Sequence, residues 1–203
     1  MFQLNESGRF KDFFLRHQLG CFLVAKQMIF ERMPRFNENV TIETWISSCR
    51  NFYGQRNTIL RDAEGNPCVV CTETGAFVSR ATGKPFVVPA EESADVVSGE
   101  PYPMEYAPRR IAVPKDAVFV TQEHATVRPM LLDMNQHLNS TFGLEIVMKH
   151  VTIPYRQLRG EYRAQAELGA RLVVDRCLLE DGRQLLRLHN GEGTIFTVHE
   201  FTP

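Results

Sequence analysis

The stretch LLDMNQHLNSTFGLEIVMKH, residues 131–150, changes character halfway. Its first half sets Asp133, Asn135, His137 and Asn139 at every second position. Its second half is almost wholly apolar, through Phe142, Leu144, Ile146, Val147 and Met148, with Glu145 and Lys149 as an i, i+4 polar pair. That second half predicts a mostly buried helix with one wet strip. Asn139 or Ser140 can cap it by accepting a backbone N–H, which needs no functional explanation. Asp133, Asn135 and His137 lie too far upstream to cap the same helix together. In an extended segment they share a face, where a carboxylate, an amide and an imidazole can orient one another and polarise a water or a carbonyl. A turn closed by Asx hydrogen bonds with an incidental histidine is the other reading, and periodicity leaves both open.

Outward from this stretch the second half reads as an extended DAVFVTQEHATV, then the motif and helix. Strands GEYRAQAEL and ARLVVDRCLLE follow, then an EDGR turn, then strands QLLRLHN and GTIFTVHEF. The first half has the same order. GRFKDFFLRHQL places Phe10, Phe13, Phe14 and Gln18 on one helical stripe, with Ser7 available as N-cap. CFLVAKQMIF has the β-branched and aromatic content of a strand, and MPRFNEN breaks it. In NVTIETWISS, Val40, Ile42, Thr44 and Ile46 alternate with Thr41, Glu43, Trp45 and Ser47, the period of a sheet strand. NFYGQRNTILRD and PCVVCTETGAFVSR form a hairpin across AEGN. Between Glu91 and Arg110 the chain turns rich in Pro, Ser, Gly and acidic residues, which places a linker at 101–111 between units 1–100 and 112–203. Matching details, an acidic turn with glycine (DAEG, EDG), a later Gly75 or Gly193, and strands with AFV or IFTV, suggest duplication of a helix-plus-antiparallel-sheet unit. The fold class is α+β, with the two units packed as an internal pseudo-dimer.

Composition excludes several function classes. With 203 residues, 43% hydrophobic, the chain can bury a full core. With 23 basic against 24 acidic residues and a formal charge of -1, it has no general pull toward nucleic acid or anionic membrane. No apolar run reaches the roughly 18 residues of a membrane span and no signal segment is recognisable, so the expected location is cytoplasmic. Five cysteines suit a reducing compartment. Cys68 and Cys71 form a CxxC on a strand, where residues three apart point to opposite faces, so two small buried side chains are preferred to a metal or redox site. Neither metal nor cofactor is expected.

DMNQHLN resembles the DMNxHVN signature of the acyl-ACP thioesterases, the FatA/FatB-type enzymes of plants and bacteria. ETW at Glu43–Trp45, TGKP at Thr82–Pro85 and EYRAQAELG at Glu161–Gly169 resemble further family segments, so the likeness covers residues 31 to 200. It implies a tandem, or double, hotdog, each a central helix wrapped by an antiparallel β-sheet. It implies hydrolysis of the thioester that joins a fatty acyl chain to acyl carrier protein. The first domain would supply much of the acyl pocket and the second the catalytic residues. By position, Asp133 holds Asn135, Asn135 and His137 bind or polarise the reacting groups, and a glutamate on the facing strand activates water.

Two departures stand out. The expected glutamate falls on Gln165, which cannot act as a base; Glu167 is two residues on and shares its face, displaced by about 7 Å along a strand. Family members usually begin with a strand and a longer first helix, so a shortened first pocket is expected. The implied partner is an acyl carrier protein, with Arg109, Arg110, Arg156, Arg159 and Arg163 as candidates to meet its acidic surface, and a second copy of the chain as an optional homodimer partner. Two alternatives stay open: an acyl-CoA thioesterase of the hotdog superfamily with Asp133 as base, and a non-catalytic acyl-binding hotdog protein, which Gln165 favours.

Overall fold

The computed structural model describes residues 8–203, and the chain divides into two compact units, Met1–Ala107 and Pro108–Pro203. The first contains helix α1 (Arg9–Arg16), strands β1 (Leu19–Phe30), β2 (Thr41–Arg50), β3 (Tyr53–Arg61) and β4 (Pro67–Ser79), and one helical turn, α2 (Ala90–Ser93). The strands pair antiparallel in the order β2-β3-β4-β1. The aromatic stripe decides where α1 sits. Phe10, Phe13 and Phe14 are buried with Leu19, Phe77 and Val88, and Phe77 meets Phe10 and Phe14 edge-on at 6.0 and 5.9 Å. The capping position is Gly8; Ser7 lies outside the described residues. The β3–β4 turn closes as AEGN predicts: Gly65 takes φ +86°, which glycine adopts without strain, and Asp62 Oδ1 accepts the Asn66 N–H at 2.7 Å. In β2 the alternation marks a strand but not its burial. The first four residues are exposed, Ile42 by 65%, because β2 is the edge of this four-stranded order.

The segment read as a linker is an ordered strap. Val97 bridges to Ile46, the Trp45 indole donates to the Glu100 carbonyl at 2.8 Å, and the Gln27 amide donates to Glu105 O and accepts the Ala107 N–H at 3.0 and 2.9 Å. Asn57 donates to the Tyr106 hydroxyl at 3.3 Å. Trp45, Asn57, Thr72 and Gln27 are cross-strand partners on one face, so side chains of the sheet satisfy the backbone of an otherwise irregular segment. A Cβ at Gly99 would lie 2.7 Å from the Trp45 ring, so a larger residue there would force the ring or the strap to shift.

The second unit contains β5 (Val120–Thr126), α3 (Ser140–Met148), β6 (Gln157–Tyr162), β7 (Arg171–Leu178), β8 (Gln184–His189) and β9 (Ile195–Thr202), in the order β6-β9-β8-β7-β5. Helix α3 buries Gly143, Ile146 and Val147. With α3 and β6 to β9 set against α1 and β1 to β4, the two sheets have the same strand order, and β5 is an addition beside β7. The matching turns were misaligned, however. DAEG joins β3 to β4, whereas EDG joins β7 to β8, the counterpart of the β2–β3 connection; Gly75 lies inside β4 and Gly193 in the turn before β9. Acidic glycine turns recur because turn chemistry requires them, not because these two are equivalent.

A second correction concerns GEYRAQAEL. The strand stops at Tyr162, because the N–H groups of Arg163 and Ala164 both turn to the Phe196 carbonyl, at 2.8 and 3.3 Å, which ends the ladder. Gln165 and Glu167 therefore lie beyond β6.

Candidate active site

The segment Leu132–Leu138 is a tight hairpin, not an extended run. Leu132 pairs with Leu138, the Asp133 N–H donates to His137 O at 2.8 Å, and the Gln136 N–H donates to Asp133 O at 3.1 Å. Gln136 takes φ +63° to close the turn. The Asp133 carboxylate organises this tip. Its Oδ1 accepts the Asn135 and His137 N–H groups at 2.7 and 3.2 Å, and its Oδ2 accepts from the Asn135 amide at 3.3 Å. Local Asx bonds thus shape the motif, and the same bonds fix the Asn135 side chain.

A second loop completes the arrangement. Beyond β6 the chain crosses to the hairpin, where the Leu138 N–H donates to Ala166 O at 2.7 Å and His137 stands opposite Glu167 in an antiparallel bridge. Directly opposed residues of such a pair project to the same side, with Cβ atoms about 4.5–5.5 Å apart. The loop is closed by the Ala170 N–H on Glu167 O and the Gly169 N–H on Val127 O, both at 3.0 Å. Asp133, Asn135 and His137 are half-buried, Gln165 and Glu167 are exposed, and Ala166 between them is buried. The hairpin then feeds α3 through Asn139, whose side chain accepts the Thr141 N–H at 2.9 Å. The structure thus sets His137 against Glu167, with Gln165 off that bridge. Nothing in the sequence signalled the crossing: Gln136 is an unusual residue for positive φ, and only Gly169, at φ +79°, advertises a turn.

Two polar groups of this unit escaped the sequence reading. His150 Nε2 lies 2.8 Å from Glu123 Oε2. Asp175 is buried and accepts from Thr121, Arg187 and His189 at 2.8, 2.7 and 2.9 Å. Burial alone would raise the Asp175 pKa, but these donors hold it below the ordinary aspartate value. Their partners are 12 to 54 residues apart in sequence, so no local pattern could reveal them.

The arginines separate into two groups. Arg159 is only 13% exposed and pairs at 2.7 Å with Glu200, itself 3% exposed and also held by Arg183. Arg163 pairs with Glu161 at 2.9 Å, and Glu161 also accepts the Ile111 N–H. Arg159 also donates to the Pro108 and Arg110 carbonyls, which holds the segment 108–111 to the sheet, and is corrected from a docking candidate to a structural residue; Arg163 is exposed and meets the segment only through Glu161. Arg109, Arg110 and Arg156 remain exposed. Cys68 and Cys71 are free thiols, and burial pushes Cys71 up to about 12, far from a reactive thiolate. No helix among the described residues is long and apolar enough to cross a membrane.

Antiparallel sheets carrying one short helix each are the build of hotdog-type proteins, and comparison with known structures bears this out. The chain is similar to an acyl-ACP thioesterase from Bacteroides thetaiotaomicron, with TM-score 0.79 and 18% identity, covering 93% of this chain and 78% of that one. It is similar to the 12:0-ACP thioesterase of Umbellularia californica, again with TM-score 0.79 and 18% identity, covering 93% and 76%. A Mycobacterium tuberculosis protein with a double hotdog fold matches at TM-score 0.52 and 10% identity, covering 88% and 73%. In sequence, residues 2–95 match the acyl-ACP thioesterase N-terminal domain. No curated protein sequence matches. The likeness to acyl-ACP thioesterases thus holds for the sequence of the first half and for the fold.

Proposed function

We propose that this chain is a tandem hotdog thioesterase that hydrolyses fatty acyl-ACP to the free fatty acid and the carrier thiol, with its reacting groups on the second unit. The observation that carries the reading is the pairing of the Asp133-anchored hairpin with the Glu167 loop. In this assignment Asp133 is a positioning residue for Asn135 and His137. The Asn135 amide and the His137 ring polarise the thioester carbonyl. Glu167, opposite His137, takes a proton from water as the water oxygen bonds to the carbonyl carbon. The C–S bond then breaks and the proton passes to the departing sulfur. Gln165 keeps a neutral role at the rim.

The acyl-CoA alternative with Asp133 as base is less well supported, because both carboxylate oxygens already accept hydrogen bonds from the turn they hold. For the carrier surface the reading relies on Arg109, Arg110 and Arg156. Thiol release from matched acyl-ACP and acyl-CoA substrates tests it: turnover with faster acyl-ACP hydrolysis supports the proposal, and faster acyl-CoA hydrolysis moves the carrier assignment to coenzyme A.

A further inference from the structure

The connection between β1 and β2 holds an aromatic ring out in water on an ordered support. The Arg35 N–H donates to Glu38 Oε2 at 2.7 Å, the Glu38 N–H returns to Arg35 O at 3.1 Å, and Asn37 takes φ +62°. Arg35–Glu38 is therefore a hydrogen-bonded turn with Phe36 at its apex. Arg32 clamps it, donating at 3.0 Å to Glu38 and at 3.0 Å to buried Asp62. Asp62 also accepts the Asn66 N–H, so the clamp ties this turn to the β3–β4 turn. Within this fixed frame Phe36 is nevertheless 95% exposed and Met33 68%. The chain thus forgoes the burial that an aromatic side chain ordinarily gains. Phe36 and Met33 border an open groove of about 720 Å³ whose lining includes Ala63, Arg35 and Glu64. Arg35 and Glu64 are exposed, and neither side chain has an ion pair among the described residues. One surface therefore carries an apolar knob beside a hole, and a cation beside an anion.

We propose that a second copy of this chain occupies this surface across a twofold axis. Phe36 of each copy sits in the groove of the other, and Arg35 of each pairs with the partner subunit's Glu64. A twofold contact is reciprocal, so a surface that supplies both halves of each pairing fits its own copy. A lipid surface or an acidic protein would bury Phe36 while leaving Glu64 unpaired or repelled, whereas a second copy neutralises it. Because the turn is already pinned, contact costs little ordering of the backbone. Val40 and Ile42, also exposed, continue the apolar surface at the start of β2, the strand that ends the sheet order. On two copies these residues suffice for roughly 1,200 Å² of buried area, the lower bound of a stable specific interface.

Sedimentation velocity on the whole protein, from low micromolar to several hundred micromolar, tests this. The wild type should dimerise with micromolar affinity or tighter. Phe36→Asp should weaken the dimer at least about thirtyfold, the effect of removing a central aromatic anchor. Arg35→Glu and Glu64→Arg should each weaken it at least about tenfold, and the double charge swap should return it to within about threefold of wild type. All four variants change exposed side chains, so each is compared in protein with wild-type circular dichroism and melting temperature. A wild type that stays monomeric throughout, a dimer that Phe36→Asp does not weaken, or a double swap no tighter than the single variants overturns the inference. Co-sedimentation of monomeric wild type with phosphatidylcholine vesicles, lost in Phe36→Asp, overturns it in favour of a lipid surface.

Discussion

Glu167→Gln is the most informative single change. Glu167 is exposed and its backbone, not its side chain, makes the bridge to His137 and the turn to Ala170. Replacing the carboxylate by its isosteric amide should therefore leave the fold within about 0.5 kcal/mol of wild type, the usual range for a surface substitution. Removal of a general base typically costs about 10² to 10⁴ in rate, which corresponds to roughly 2.7 to 5.5 kcal/mol of transition-state stabilisation. The expected result is a kcat for acyl-ACP hydrolysis at least a hundredfold lower, with KM within about threefold and an unchanged melting temperature, because the lost interaction exists only in the transition state. The assay is release of free carrier thiol under saturating substrate, with thermal melts on the same preparations. A Glu167→Gln protein that melts normally and retains kcat within threefold of wild type refutes the assignment of the base.

Three further outcomes follow from the same geometry. Gln165→Glu should change kcat by less than about threefold, since position 165 lies off the His137 bridge; a tenfold rise would return base duty to that position. Asp133→Ala removes the acceptor of two backbone N–H groups and of the Asn135 amide, so it should lower stability by about 1–3 kcal/mol and abolish turnover, checked by urea unfolding and thiol release. Reversing Arg159 to Glu places like charge against buried Glu200 and should destabilise by roughly 3–5 kcal/mol, with no salt-dependent change in KM separable from unfolding. Acid stability gives a fourth. Because Asp175 is held below its ordinary value, its contribution is full above the unfolded aspartate pKa of about 3.9 and is lost as pH falls through the lower folded value. Urea unfolding of the wild type between pH 6 and pH 3 should therefore lose stability more steeply at the acid end than Asp175→Asn does.

Much of the architecture was legible because local chemistry and global fold agree there. The Phe10, Phe13 and Phe14 stripe gave a helix and its buried face, AEGN gave the β3–β4 turn, and Asn139 gave the α3 cap. What failed was decided at long range. The β2 alternation could not reveal an edge position that leaves Ile42 exposed. Composition rich in Pro, Ser, Gly and acidic residues marked a linker but not its contacts: Gln27, Asn57 and Trp45, up to 80 residues away in sequence, pin it to the sheet. In the motif, alternate polar residues left an extended run and an Asx-closed turn equally open, and Asp133, accepting from its own turn, decides between them. The displacement of Gln165 and the approach of Glu167 to His137 depend on the break after Tyr162, a backbone event with no residue-type signature.

The most direct measurement of the central claim is thiol release from dodecanoyl-ACP by the purified wild-type chain beside His137→Ala. The wild type should release the carrier thiol in multiple turnovers, and His137→Ala, folded and melting as the wild type does, should release at least a hundredfold less. Retention of an intact acyl-ACP bound to the wild type, without thiol release above the uncatalysed rate, would contradict the account and leave the chain an acyl-binding protein.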